Sequence, residues 1–125
     1  MAATMLVAAG AVAVGALSAT APANATTGGK FAAIAYSPET GSFGYWSGAP
    51  TFEGANFGAL NECTQHGGNH CLLAAWAQNG CVALAVDALD NGHWHGANGP
   101  TFISAETAAL QLNQGGVPRI KTATC

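Results

Sequence analysis

The sequence predicts an α+β fold: two strand–strand–helix–strand repeats sharing one core, disulfide-bonded, after an N-terminal signal peptide. Three observations predict it. The second half of the chain lies on the first after a shift of fifty positions. Each half alternates short apolar runs with one Ala-rich segment of helical spacing. Four cysteines stand in a short chain that opens on an apolar run.

Residues 1–25 read as a signal peptide. Met5 to Leu17 is apolar apart from small positions, and Ala23-Asn24-Ala25 has the A-x-A form of a cleavage site. Ala21-Pro22-Ala23 is a second such site. The apolar run falls short of the roughly 20 residues that span a bilayer. Its leading MAATM carries no Lys or Arg, and no cysteine lies near the cleavage region for a lipid anchor. Residues 26–125 then form a single secreted domain, with repeat one at 31–77 and repeat two at 81–125.

Phe31–Tyr36 is a continuous apolar run with aromatic and β-branched members, the pattern of a buried strand. Ser37-Pro38-Glu39-Thr40-Gly41 is a turn. Ser42–Ser47 reads as the second strand of a hairpin, and Gly48 to Thr51 breaks it. Ala55, Ala59, Leu60 and Cys63 share one helical face. After Gly67-Gly68, Cys71–Ala77 is a third strand. The second half follows in register. Cys81–Val86 lies on Phe31–Tyr36, and Pro100-Thr101-Phe102 on Pro50-Thr51-Phe52. Ala105, Ala109 and Leu110 lie on Ala55, Ala59 and Leu60. Asp87–Gly92 is the expected hairpin turn, and it contains the strong turn dipeptide Asn91-Gly92. Ser104 is the expected helix N-cap, with Glu106 in the first turn. Arg119–Thr124 closes the pattern. A half of fifty residues buries little alone, so the halves are expected to share a core.

The repeat bears on the cysteines. Four allow three pairings. Cys63 and Cys71 have Asn113 and Arg119 as counterparts, so both are missing together from the second half. This favours Cys63–Cys71 with Cys81–Cys125. The spacings do not match a CxxC zinc pattern.

Composition excludes several classes. Lys30, Arg119 and Lys121 are the whole basic complement, too few for the phosphate contacts of a nucleic-acid binder. The net charge of −3 points to no strongly charged partner.

The opening Phe31–Tyr36 with Ser37, Thr40 and Gly41, then Ala59-Leu60 to Cys63, then Cys71, resembles one known family. So does the stretch Trp76, Asn79, Cys81, Ala83, Leu84 and Ala85 with the terminal Cys125. It is the domain-of-unknown-function 4189 family, small secreted proteins of mycobacteria and related bacteria. The resemblance spans the mature chain. It implies secretion and an α+β domain, and no catalytic residues. The chain departs from the fuller pattern in lacking a second helix–loop cysteine pair.

Candidate chemistry is sparse. His66 and His70 flank a Gly-Gly loop, which breaks the helical geometry that would pair them as ligands. His93 and His95 would share one face of a strand. With Asp87 and Asp90 they form the candidate polar cluster. Tyr45, Trp46 and Trp94 are candidates for an aromatic binding surface. No nucleophile elbow, phosphate loop or Ser/His/Asp spacing is present. No catalytic residue, metal or cofactor is therefore assigned, and a non-enzymatic role is favoured. The expected function is an extracellular or cell-envelope binding protein, host-facing in one version. Its partner would be a protein or glycan, not nucleic acid, and it would not engage a membrane after signal cleavage. One alternative is a small hydrolase using Asp87, Asp90, His93 and His95. The other is a purely structural or inhibitory module.

Overall fold

In a computed structural model the described residues are 30–125, preceded by two short paired strands, β1 (Ala13–Val14) and β2 (Leu17–Ser18). The rest of the expected signal segment, with its cleavage motifs, lies outside the described residues. From Phe31 onward the order is β3 (Phe31–Tyr36), β4 (Phe43–Ala49), α1 (Phe52–Gln65) and β5 (Leu72–Gln78). It then repeats as β6 (Cys81–Asp87), β7 (Asp90–Gly99), α2 (Phe102–Leu112) and β8 (Pro118–Thr124). Each half makes a three-stranded antiparallel sheet with its first strand in the middle, β4-β3-β5 and β7-β6-β8.

Strand alternation assigns the layers. Ala32, Ile34 and Tyr36 join Val82, Leu84 and Val86 in one cluster between the sheets. This is the shared core, and it holds the large side chains. The opposite faces carry alanine: Ala33 and Ala35 pack under α1, Ala83 and Ala85 under α2. The helices answer with Ala55 and Ala59, and with Ala105 and Ala109, all fully buried. Small residues on both sides let each helix sit close to its sheet. At Gly44 the approach is backbone to backbone, for a Cβ there would meet Ala59 O at 2.6 Å and press on the Cys63 amide. The result is four layers, helix–sheet–sheet–helix.

Both disulfides are those the repeat favours, Cys63–Cys71 and Cys81–Cys125. Three expected features move. The N-cap of α2 is Thr101, not Ser104. Thr101 has extended φ −133°, and its hydroxyl accepts the Ser104 N–H at 3.1 Å while Ser104 Oγ accepts the Thr101 N–H. Glu106 therefore lies beyond the first turn. The Thr51 hydroxyl likewise accepts the Gly54 N–H and caps α1, without a reciprocal side-chain bond, so the repeated Pro-Thr-Phe is a helix-start signal. The second hairpin turns at Ala88 and Leu89, and Asn91-Gly92 lies within β7. The Asp87 carboxylate accepts the Leu89 N–H at 2.8 Å and so fixes the tighter turn.

Candidate functional site

Ser37 and Asp87 occupy equivalent places at the ends of β3 and β6. Both are buried polar residues, and both tie a hairpin turn to the helix–strand loop of the same half. Ser37 Oγ donates to Asn69 O at 2.6 Å and accepts the Asn69 N–H at 3.2 Å. Asp87 accepts backbone N–H bonds from Leu89 and Val117, and its Oδ2 lies 3.3 Å from His93 Nδ1. The backbone bond from Leu89, with lesser help from Val117 and His93, holds this carboxyl below its ordinary range against the opposing effect of burial.

The rest of the polar cluster divides. His95 Nδ1 lies 3.0 Å from Oδ1 of the fully buried Asn113, and the two imidazoles stand edge to face at 6.2 Å. Asp90 accepts the Gly92 N–H at 2.9 Å, and burial, followed by the Asp90 charge, pushes the Tyr36 phenol above its ordinary pKa. Thus Asp87, His93, His95 and Asn113 form a chain under the α2–β8 loop, while Asp90 serves its own turn. Asn113 is the counterpart of Cys63, and His95 pairs with Ala85 as Gly44 pairs with Ala35. Where the first half carries Cys63 against Gly44 and a disulfide to Cys71, the second carries Asn113 against His95. The sequence signal for this was the Cys63–Asn113 correspondence itself.

The other histidines stay in the first half. His66 Nδ1 lies 3.3 Å from Phe43 O, and His70 pairs with Glu39 at 2.7 Å on the open surface. Among the described residues no group of three or more His, Cys, Asp or Glu is gathered to hold a metal.

The aromatic candidates also divide. Trp94 is half-buried beside the inter-sheet core, T-shaped on Tyr36 at 5.6 Å, so it is not part of an aromatic surface with the others. Tyr45 and Trp46 remain 50 % and 46 % exposed on β4. With Ser47 and Glu62 they line a shallow cleft of about 330 Å³. Trp46 is held flat against α1, because a Cβ at Gly58 would fall within 2.6 Å of its ring. A larger cleft of about 500 Å³ meets the first at Ser47 and runs past Gly48 to Lys30 and Pro100. Two aromatic side chains, a serine and a carboxylate thus border one cleft. The sequence names Tyr45 and Trp46 as candidates, and Glu62 joins them at the cleft because α1 crosses beside β4.

No curated protein and no solved structure matches the chain. Among the described residues no helix is long and apolar enough to cross a membrane. A family model, Domain of unknown function (DUF4189), matches residues 31–125. That stretch holds both repeats and all four cysteines, and the chain belongs to this family.

Proposed function

We propose that the chain is a secreted binding protein of the extracellular space or cell envelope, and that it meets its ligand at the Tyr45–Trp46 cleft. The observation that carries this is the half-exposure of two adjacent aromatic residues around a cleft that also holds Glu62 and Ser47. Exposed aromatic groups on a rigid support give large contact area for little ordering cost. The two disulfides fit an oxidising compartment.

The test is retention of ligands from arrays of envelope glycans and from extracellular extracts by the immobilised full chain. Trp46→Ala and Tyr45→Ala are run beside it, with circular dichroism to verify folding. Loss of retained ligands in both variants is expected. Retention unchanged in both would end this reading.

A hydrolase centred on Asp87 and His93 is the second reading, supported by their 3.3 Å approach. It predicts that His93→Ala abolishes a measurable esterase or glycosidase activity. The kinship of this cluster with the Ser37 tie in the first half favours a structural role instead.

A further inference from the structure

We propose that the open edge of β4 takes up an extended peptide segment of a partner protein by strand addition, with a basic side chain of that peptide set against Glu62. The proposal rests on the binding reading above and names its ligand class.

The cleft is lined by three consecutive residues, Tyr45, Trp46 and Ser47. Successive side chains of a strand point to opposite faces, so a cleft touched by all three lies along the strand's edge. Among the described residues β4 has one neighbour in its sheet, β3, and its outward N–H and C=O groups have no strand partner. Such edges are normally blunted with charge, proline, a bulge or a cover, and β4 has a bulge at Ser47–Gly48, with Gly48 at φ +74°, just past Tyr45 and Trp46. From Gly44 to Gly48 the strand carries neither charge nor proline, and Tyr45 to Gly48 is exposed. The α1 residue Glu62 forms the far wall. A sheet edge beside a helix is the geometry in which extended peptides dock, with backbone bonds for affinity and side pockets for selectivity.

In the second half the equivalent outer strand, β7, packs against the opposite sheet. Ile34 and Leu84 are equivalent, and their partners are Tyr45 on β4 and Gly96 on β7. Gly96 lets β7 sink onto β5, since a Cβ there would fall 2.7 Å from the Ala74 carbonyl carbon. Asn98 Nδ2 donates to Trp76 O at 3.0 Å across the same seam. Tyr45 holds the place of Gly96 and leaves its own seam open. One of two equivalent edge strands is thus tucked in and the other is presented. The neighbouring cleft continues the groove toward Lys30, so an acidic group on the peptide is expected at that end.

The test is selection of phage-displayed random nonapeptides on the immobilised full chain. Enriched peptides are expected to carry a Lys or Arg. A synthetic copy should slow amide hydrogen exchange within Tyr45–Gly48. Its binding should fall about threefold with Glu62→Gln, the weight of an exposed ion pair, and at least about tenfold when alternate peptide backbone nitrogens are methylated. The proposal is overturned by no enrichment over the starting library, or by binding indifferent to N-methylation. If glycans bind at Tyr45 and Trp46 and peptides do not, strand addition fails and the binding reading survives. If sedimentation finds the chain dimeric with Tyr45–Gly48 protected, the edge belongs to a second copy and the proposal likewise fails. If Trp46→Ala and Tyr45→Ala change nothing for any ligand, the binding reading itself is lost.

Discussion

Gly96→Ala tests whether the β5–β7 seam depends on backbone contact. The added Cβ would lie 2.7 Å from the Ala74 carbonyl carbon, closer still to its oxygen, and 3.0 Å from Ala75 Cβ. Ordinary contact begins at 3.4 Å, and the obstructing atoms are backbone and a short methyl, which have no rotamer to escape into. The sheets must therefore part locally by about 1 Å, a gap that forfeits up to about half of the dispersion energy across the seam. Overpacking of this kind costs about 1–3 kcal/mol, and the absence of an escape places Gly96→Ala near 3. For a domain of about a hundred residues this lowers Tm by roughly 12–24 °C. Gly48→Ala is the control. Gly48 has φ +74° but nothing within 4 Å, so it reports conformational strain alone, about 1–2 kcal/mol. Both are measured by urea denaturation and calorimetry. A Gly96→Ala loss under about 1 kcal/mol, or one smaller than that of Gly48→Ala, would refute the account of the seam.

Other outcomes follow from the same geometry. Closing sequence separations of 8 and 44, the two disulfides should contribute about 2.5 and about 4 kcal/mol by loop-closure entropy. Cys81→Ala/Cys125→Ala is accordingly expected to lower the urea midpoint more than Cys63→Ala/Cys71→Ala. Asp87 is held below its ordinary pKa of 3.8, so its stabilising contribution is present above that value and fades as pH falls beneath it. Asp87→Asn should flatten the acid limb of the stability–pH curve, which equilibrium unfolding between about pH 2 and 6 would reveal. Thr101→Ala removes one side of the α2 capping box and should cost about 1–2 kcal/mol, read as faster amide exchange in the first turn of α2.

Much of the fold was legible because it is written in local periodicity. Phe31–Tyr36 and Cys81–Val86 read as central strands, and their alternation separates Ile34 and Leu84 from the alanines that meet the helices. The paired absence of Cys63 and Cys71 from the second half pointed to the disulfides found. Misplacements occurred where several local signals competed. Asn91-Gly92 is a strong turn dipeptide, yet the Asp87 carboxylate pins the turn earlier, and it gains its partners from the distant Val117 loop. Ser104 is a good cap by type, but Thr101 has the extended backbone a cap needs and uses Ser104 as its reciprocal partner.

The candidate site was legible only in part, for a physical reason. Residue type marks Tyr45, Trp46 and Trp94 alike, but exposure is a property of what packs above each. Trp94, on β7, meets Tyr36 at the end of β3, while among the described residues Tyr45 has no comparable ring contact. The sequence by itself determined the repeat and the strand and helix types, and it favoured the cysteine pairing found. These follow from side-chain period, composition and count, which need no knowledge of distant neighbours. The tertiary structure alone decided which of the two equivalent outer strands packs onto the opposite sheet. That choice rests on one pair of residues, Gly96 and Tyr45, whose difference becomes meaningful only when two sheets approach to within contact.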